Sequence, residues 1–274
     1  MSDEKKDYRV AIPSYKRCEV IKDKTLSILD RYGIAPEKVT VFVADDEELG
    51  MYRDSLKGHK YGENIVKGVP TIGEQRNWIE RHYSEGTRLV MLDDDISGVQ
   101  MKHGGKLVEV GDLETEIIFR GFSCCEKYGA KLFGVYAAAN AYFMRDRVYT
   151  GLCYIIGSLF GQVVEHDDSL KRITNHGEDY EFSLRQYVKN GTLCRLDNYT
   201  VKTNYFNEEG GLQEIRTREY VKHSIIKIYE MFPHLCTMYI RKTTKFAELR
   251  FHDNEKQTYR KRHLAWAKRR GSHA

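Results

Sequence analysis

The run Leu89-Val90-Met91-Leu92 leads directly into three consecutive carboxylates, Asp93-Asp94-Asp95, and then into Ile96 and the turn residues Ser97-Gly98. The apolar run predicts a buried strand with the triplet at its carboxyl end, which is where ligands bind in open α/β sheets. Adjacent carboxylates repel one another unless a cation lies among them, and hard divalent ions such as Mg²⁺ take oxygen ligands. The triplet therefore indicates a metal site, with a solvated turn as the alternative. Alternation along an extended chain predicts that Asp93 and Asp95 point one way and Asp94 the other.

Apolar runs and helical periodicity alternate on the N-terminal side of this strand. Strands are predicted at 8–12, 39–44 and 64–66, and helices at 19–32 and 72–83. This β-α-β-α-β order predicts a mostly parallel sheet flanked by helices. Beyond residue 100 the pattern changes, and the predicted elements are a hairpin at 101–107, helices at 112–128, 178–190 and 218–232, and strands at 132–135, 154–160 and 193–196.

The composition is typical of one large globular domain. The chain has 274 residues, of which 41% are hydrophobic and 31% charged. No run approaches the roughly 20 apolar residues of a membrane span, and the N-terminus lacks the pattern of a signal peptide. Six cysteines without a CxxC pair predict reduced thiols in a cytoplasmic protein. Residues 271–274 are interpreted as a possible cloning scar.

Positive charge is concentrated near the C-terminus. Residues 241–270 contain eleven Lys or Arg against three acids, a local net charge of +8 within a total of +4, so the rest of the chain carries −4. We expect this segment to be helical. A basic tail on an acidic body favours a polyanionic partner that docks at one end, with a solvated helix as the alternative.

A second acidic cluster opens the predicted helix at 178–190. Glu178 and Asp179 follow His176-Gly177, and the helix dipole favours ionised carboxylates in a first turn by about 0.3–1 kcal/mol. An ionised carboxylate that faces a cleft can act as a general base toward a hydroxyl group. The alternative is the ordinary preference for acids in any first helical turn.

The triplet and the acidic pair about 85 residues later resemble nucleotide-sugar glycosyltransferases of the GT-A fold. The loop 12–17, the acids at 45–46 and the stretch 68–77, with its glycines and Arg-Asn pair, are similar to that family's motifs and come in the same order. The resemblance implies an α/β, GT-A-like single domain with a Rossmann-like, mixed and mostly parallel sheet. Its implied boundaries are a core at 1–215, divided into a nucleotide-sugar half at 1–100 and an acceptor half at 101–215, and a helical basic extension at 216–270.

A narrower resemblance is to the TET-associated glycosyltransferases, the group that includes bacteriophage DNA-modifying enzymes and relatives of the base J glucosyltransferase. It is carried by residues 12–17, 43–48, 75–77, 93–96, 177–182 and 204–211. The resemblance implies a cytoplasmic enzyme that moves a sugar, expected to be glucose, from a UDP-sugar to the hydroxymethyl group of 5-hydroxymethylcytosine or 5-hydroxymethyluracil in DNA. It implies neither a membrane nor an obligate protein partner.

The resemblance also implies roles for individual residues. Mn²⁺ or Mg²⁺ is expected on Asp95 and Asp93, with the donor ribose as the alternative partner of Asp93. His223 and His252 are candidates for a late metal ligand, although a lone histidine is more often structural. Asp179, or alternatively Glu178, is the expected base, and in-line attack would invert the anomeric centre.

Two further groups of contacts are expected. The donor-binding candidates are Pro13, Ser14, Tyr15, Arg17, Asp45, Asp46, Gly73, Arg76, Asn77, Asp93, Asp94, Gly210 and Gly211. The nucleic-acid-binding candidates are Lys261, Arg262, Trp266, Lys268, Arg269 and Arg270. The polar cluster 166–168 is interpreted as an acceptor-side loop or a solvated turn.

Other functions remain open at this point. One alternative is a GT-A enzyme that acts on a polysaccharide, lipid or protein, against which the basic tail argues weakly. Another is a non-enzymatic nucleic-acid-binding relative, which would be expected to have lost part of the acidic constellation. A two-metal phosphodiesterase or nuclease would leave the nucleotide-pocket motifs without a role.

Overall fold

Strands and helices alternate up to residue 92 in the computed structural model, which describes residues 7–203 and 217–271. The strands are β1 (Arg9–Pro13), β2 (Val39–Val43), β3 (Ile65–Lys67), β4 (Arg88–Leu92), β5 (Gly98–His103), β6 (Lys106–Glu109), β7 (Leu132–Val135), β8 (Val148–Gly151), β9 (Leu159–Val163), β10 (Leu193–Leu196), β11 (Tyr199–Lys202), β12 (Cys236–Ile240) and β13 (Ala247–Phe251). The helices are α1 (18–31), α2 (Asp46–Ser55), α3 (Ile72–His82), α4 (114–128), α5 (Glu178–Asn190), α6 (Arg218–Met231) and α7 (Thr258–Arg269). Lys22–Leu26 within α1 and Glu114–Phe119 within α4 are π-helical.

The central sheet has eight strands in the order β3-β2-β1-β4-β9-β7-β10-β8. Neighbouring strands are parallel from β3 to β4 and between β7 and β10, whereas β9 and β8 are antiparallel to their neighbours. Strands β1, β2 and β4 therefore end at one edge of the sheet, called the carboxyl edge below. Strand β9 begins there, since Leu159 pairs with Leu92. The predicted mixed, mostly parallel sheet is confirmed.

Both faces of the sheet are covered, because its buried strands alternate apolar side chains between two cores. Val10 and Ile12 point into a core shared with α1, α2 and α4, whereas Ala11 points into one shared with α3, α5 and α6. The predicted hairpin after residue 97 is formed by β5 and β6. Its turn residues Gly104 and Gly105 both have positive φ, +53° and +82°, which a tight two-residue turn requires.

The C-terminal part shares the second core. Ile225 and Ile228 on α6 and Leu249 on β13 are buried in it. The helices predicted there are confirmed, but residues 236–251 form a two-stranded hairpin instead of a helix. Along β13, Ala247 and Leu249 are buried and alternate with exposed or half-buried residues. This alternation is typical of a strand, and the prediction of a helical tail did not take it into account.

Helix α7 is joined to the end of α5 by Arg260. Its guanidinium donates hydrogen bonds to the carbonyl groups of Tyr187, Val188 and Lys189, at 3.0, 2.8 and 3.1 Å. These carbonyls belong to the last turn of α5, where a cation interacts favourably with the exposed acceptors; that of Tyr187 also accepts from the amide of Gly191 at 2.8 Å. The basic helix is therefore anchored on the core.

Among the described residues, none of the helices has the length and apolar character that crossing a membrane requires. The six cysteines carry free thiols.

Candidate active site

Four segments meet at the carboxyl edge of the sheet. They are residues 13–17 after β1, residues 93–95 after β4, residues 154–158 before β9, and the N-terminus of α5. The predicted strand at 154–160 begins only at Leu159, because the preceding backbone is used by the site. The amide of Asp93 donates to the carbonyl of Ser158 at 3.0 Å, which fixes the segment before β9 beside the acidic triplet.

The three aspartates have different partners. Asp93 accepts a hydrogen bond from Arg76 Nη2 at 2.8 Å. Asp94 accepts from Ser14 Oγ at 2.6 Å and from Arg17 Nη1 at 3.0 Å, and the same Arg17 nitrogen lies 3.5 Å from Asp95 Oδ2. The predicted alternation is wrong, since Asp94 and Asp95 share Arg17. The alternation fails because the strand ends at Leu92 and Asp94-Asp95 form a turn.

Thr25 holds that turn by hydrogen bonds to its backbone. Its buried hydroxyl donates to the carbonyl of Asp93 at 2.7 Å and accepts from the amide of Ile96 at 3.0 Å. Thr25 belongs to the π-helical segment of α1, the kind of local distortion that often accompanies functional sites. The backbone of the triplet is thereby held at both ends.

Burial disfavours the ionised forms of all three aspartates. Burial raises the pKa of Asp93 to about 6, with Asp95 adding to the rise and Arg76 opposing it. Burial also raises the pKa values of Asp94 and Asp95, against the effect of Arg17. A further positive charge at this position, besides Arg17 and Arg76, would stabilise the ionised forms of all three.

Arg76 connects the triplet to the N-terminus of α5. Its side chain is 2% exposed and donates to Asp93, to the Gly157 carbonyl at 2.9 Å and, through Nη1, to Glu178. Glycine at position 157 leaves room for this guanidinium, because a Cβ atom there would stand 2.5 Å from Nη1 and displace it. The guanidinium is thus enclosed by groups from both halves of the sheet.

Glu178 is committed to ion pairs. Besides Arg76, the buried Arg172 lies 3.4 Å from its second oxygen, while Arg172 Nη1 donates to Glu80 at 2.8 Å. Burial raises the pKa of Glu178, and the two guanidinium groups oppose this rise. The carboxylate therefore serves to hold Arg76 and Arg172 in place.

Asp179 has the surroundings of a general base. Its Oδ2 accepts hydrogen bonds from the Tyr154 hydroxyl and from the amide of Gly157 at 3.3 Å. The ring of Tyr154 stacks on that of Tyr180, with centroids 4.4 Å apart and planes inclined by 22°. The carboxylate is partly exposed and lies in the first turn of α5.

The loop after β1 is held in one conformation. Ser14 Oγ lies 2.6 Å from the hydroxyl of the buried Tyr52, which also accepts from the amide of Arg17 at 3.0 Å. Lys16 has a φ of +55°, an uncommon value for a residue with a side chain. Pro13 is the buried last residue of β1, and Tyr15 is exposed at the carboxyl edge.

The remaining donor-site candidates differ in exposure. Asp45 caps α2 by accepting from the amide of Glu48 at 3.0 Å, and exposed Asp46 pairs with Lys67 at 2.9 Å. Both lie at the carboxyl end of β2, as predicted. Gly210 and Gly211 lie outside the described residues.

Two candidates on α3 make contacts inside the fold. A Cβ atom at Gly73 would stand 2.4 Å from the carbonyl of Thr174, so glycine permits this close approach. Asn77 is buried, and its side chain exchanges hydrogen bonds with the backbone of Arg172 at 2.8 and 3.0 Å. These contacts position the segment that leads to Glu178.

A third protein ligand for a metal ion is missing from the described part of the chain, in which no three His, Cys, Asp or Glu side chains are grouped to hold an ion. His223 is exposed on α6, and the half-buried His252 packs edge-on against Tyr259 at 5.2 Å. The donor chemistry nevertheless fits Mg²⁺ or Mn²⁺. Mg²⁺ is usually bound by one or two carboxylates together with substrate phosphates, and Asp93 and Asp95 supply two.

The basic residues of α7 lie away from this site. Lys261, Arg262, Lys268, Arg269 and Arg270 are exposed, and Trp266 packs against His263 with centroids 5.4 Å apart. The helix is anchored on the last turn of α5, about 12–15 Å from Asp179 at 1.5 Å per residue. The cluster at 166–168 is also structural in part, since His166 Nε2 lies 2.9 Å from the carbonyl of Tyr83.

Sequence reasoning missed Tyr154, Arg172 and Thr25. None belongs to a motif, and each reaches the site only through the pairing of distant strands and helices. The close approach of Gly157 to Arg76 was not predicted from the sequence either. The bridging role of Arg76 differs from its predicted place in a nucleotide pocket, although the position itself was identified.

Comparison with known proteins supports the fold. No protein-family model and no curated protein sequence matches the chain. Among solved structures, residues 1–349 of TarS from S. aureus in complex with UDP-GlcNAc align with 81% of this chain at 12% identity and a TM-score of 0.52. This chain spans 66% of that TarS segment, slightly under two thirds.

Two other solved structures are similar. Glucosyl-3-phosphoglycerate synthase from Mycobacterium tuberculosis in complex with phosphoglyceric acid gives a TM-score of 0.50 at 12% identity, over 84% of this chain and 83% of that one. The mannosyltransferase PcManGT from Pyrobaculum calidifontis in complex with GDP-Man and Mn²⁺ gives 0.48 at 12% identity, over 82% and 64%. The similarity to TarS and to glucosyl-3-phosphoglycerate synthase confirms the predicted GT-A-like α/β fold.

Proposed function

We propose that this protein is a metal-dependent glycosyltransferase that uses a UDP-sugar as donor. The observation that carries the proposal is the Arg76 bridge, which joins the acidic strand end at Asp93 to the carboxylates of α5. That arrangement places the acidic triplet and a candidate base at the same edge of the sheet. The fold shared with TarS, which was solved with UDP-GlcNAc, supports the choice of donor.

The donor diphosphate is assigned to the carboxyl edge between the loop 13–17 and the triplet. Mn²⁺ or Mg²⁺ on Asp95 and Asp93 would supply positive charge to the leaving diphosphate. Arg17 lies beside Asp94 and Asp95 and contributes a fixed positive charge to the same region. Asp94 serves to orient Ser14 and Arg17.

Asp179 is assigned the role of general base. Glu178 is engaged by two guanidinium groups, which leaves Asp179 as the better-placed carboxylate to accept the proton of an acceptor hydroxyl. The oxygen of that hydroxyl forms the new bond to the anomeric carbon as the bond to UDP breaks. Attack from the side opposite to the leaving group inverts the anomeric centre.

The acceptor in this proposal is the hydroxymethyl group of 5-hydroxymethylcytosine or 5-hydroxymethyluracil in DNA, and glucose is the sugar. The support is the resemblance of the motifs to TET-associated glycosyltransferases and the net charge of +8 in residues 241–270. The exposed cations of α7 would contact phosphates at some distance from the reacting base. The protein is expected to act in the cytoplasm.

Two variants separate donor binding from transfer. Asp95→Ala should abolish Mn²⁺-dependent binding of UDP, measured by calorimetry, whereas Asp179→Asn should bind UDP normally and lose transfer by 10²–10⁴-fold. Asp168→Ala, which alters an aspartate whose side chain is 94% exposed, is the matched control. An Asp179→Asn variant with normal transfer would contradict the assignment of the base.

A further inference from the structure

The loop between β7 and β8 presents two adjacent aromatic rings to solvent. Tyr142 is 78% exposed and Phe143 55%, and their rings meet edge to face with centroids 5.0 Å apart. Neither ring covers a core, so burial does not account for them. Paired exposed aromatic side chains on a structured loop are a common sign of an interaction surface.

The loop that carries these rings is held in shape. Asn140 Oδ1 accepts from the amide of Tyr142 at 3.0 Å, and the buried Met144 anchors the segment in the fold. Arg145 Nη1 donates to the carbonyls of Tyr142 and Met144 at 2.9 and 3.0 Å. The two rings are therefore displayed by an ordered turn.

The topology places this loop at the carboxyl edge. Strand β7 is antiparallel to β9, which is antiparallel to β4, so β7 ends at the same edge as β4. The start of β8 returns to that edge, because Val148 pairs with Leu196 at the end of β10. Both ends of the loop are thus on the side of the sheet that carries Asp93 and Asp179.

A line of stacked cations and rings leads from the loop toward Asp179. The guanidinium of Arg147 lies 5.2 Å from the ring centroid of Tyr149, and that of Arg195 lies 5.6 Å from the same ring. Arg195 donates to the carbonyl of Tyr154 at 3.3 Å, and Tyr154 donates to Asp179. We call Tyr142, Phe143, Arg147, Tyr149, Arg195 and Tyr154 the aromatic–arginine track.

The charge of the track is positive. Arg147 and Arg195 share one buried carboxylate, that of Asp197, at 2.9 and 2.6 Å, which leaves an excess of one positive charge. Lys102, from the β5–β6 hairpin, donates to the carbonyl of Met144 at 2.8 Å and adds a further cation. An excess of positive charge favours a polyanionic ligand.

The geometry points to the aromatic–arginine track as the docking surface for a DNA strand that brings its target base to Asp179. This inference rests on the proposed function and names its acceptor-binding element. Bases stack on rings without regard to sequence, and guanidinium groups neutralise phosphates, which is how single-stranded nucleic acid is commonly bound. The strand would enter over Tyr142 and Phe143 and pass Tyr149 toward Asp179, with Tyr154, whose ring stacks on Tyr180, at the inner end of the track.

The test compares binding and transfer in the double variant Tyr142→Ala/Phe143→Ala. Both rings are exposed, so the fold should be unaffected. Tyr128→Ala is the matched control, because Tyr128 is also an exposed ring with a lysine, Lys127, 5.1 Å from its centroid. Fluorescence anisotropy with a labelled single-stranded oligonucleotide gives the Kd for DNA, and calorimetry with UDP and Mn²⁺ gives the Kd for donor.

We expect the double variant to bind DNA at least tenfold more weakly than the wild type, with a raised KM for DNA and an unchanged Kd for UDP. Inorganic polyphosphate, which carries charge without bases, should bind wild type and double variant alike. If the wild type glycosylates DNA while the double variant matches Tyr128→Ala in every DNA measurement, the inference fails and the proposed function stands. If the wild type binds no DNA, or if a neutral glucan displaces bound DNA, both the docking surface and the proposed DNA acceptor are contradicted.

Discussion

Asp93 and Glu178, from opposite halves of the chain, share one buried guanidinium, that of Arg76. The first carboxylate begins the acidic triplet and the second begins the helix that carries Asp179. Through this shared partner, a single ion-pair network joins the acidic triplet to the N-terminus of the helix that carries Asp179.

Removal of Arg76 should destabilise the fold. Arg76→Met leaves two recessed carboxylates without their common partner, and breaking a buried ion pair from one side typically costs about 3–5 kcal/mol. Urea denaturation measures the change. Arg81→Met is the control on the same helix, because its pair with Asp168 is exposed and should contribute less than about 1 kcal/mol. Equal effects of the two variants would contradict the bridging role.

Metal affinity should depend on pH near 6. Because burial raises the pKa of Asp93 to about 6, this carboxylate is ionised at pH 7.5 and becomes protonated below 6. Mn²⁺ binding in the presence of UDP should weaken by about tenfold per pH unit below that value. The same shift makes the contribution of Asp93 to folding stability fall as the pH rises from 3.8 to about 6 and stay constant above.

A calorimetric titration of Mn²⁺ at several pH values checks this dependence. In Asp93→Asn the residual affinity should lose most of its dependence on pH around 6. A wild-type affinity that stays level from pH 7.5 to 5 would rule out Asp93 as a ligand.

Tyr154→Phe should slow transfer without weakening donor binding. The variant loses the hydrogen bond to Asp179 Oδ2, and loss of a hydrogen bond to a carboxylate typically costs about 1.5–3 kcal/mol. Asp179 should then be held less firmly, so that kcat falls by about tenfold or more while the Kd for UDP stays constant. Tyr187→Phe is the control, since this tyrosine on the helix of Asp179 donates to Asp253 instead. An unchanged kcat in Tyr154→Phe would leave this tyrosine a packing role only.

Substitutions of two adjacent residues of α7 should differ sharply in their effects on stability and on DNA binding. Arg260→Ala removes hydrogen bonds to the last turn of α5 and should lower the free energy of unfolding by about 1.5–3 kcal/mol. Lys261→Ala, at an exposed position, should leave stability within about 0.5 kcal/mol and weaken DNA binding in a salt-dependent way. Thermal unfolding and anisotropy at two salt concentrations measure the two effects. A large loss of stability in Lys261→Ala would show that the exposed cations serve the fold.

Most of the central sheet was predictable because its strands are apolar runs, whereas β8 was not predicted. Val10, Val41 and Val90 stand in runs that are buried on both faces, and such runs leave few other choices. The start of α5 was predictable for a local reason as well, since Gly177 and the acids after it form a helix N-terminus. Glycine at 191, with φ of +80°, ended the same helix as expected.

The contacts between these elements were not predictable. Tyr154 meets Asp179 because β9 runs antiparallel beside β4, and neither residue carries a local sign of that pairing. Asp94 and Asp95 share Arg17 because the chain turns at the strand end, against the alternation of an extended chain. Arg76 lies in a recognised motif, yet its bond to Glu178 spans 102 residues.

The most direct test of the account is a transfer assay with Mn²⁺ and radiolabelled UDP-glucose. The acceptors are DNA that contains 5-hydroxymethylcytosine, DNA that contains 5-hydroxymethyluracil, and unmodified DNA, each with wild type and Asp179→Asn. The account predicts label on hydroxymethylated DNA alone, with wild type alone. Release of UDP to water without label on any DNA would contradict the proposed acceptor, and no release of UDP at all would contradict the proposed UDP-glucose transfer.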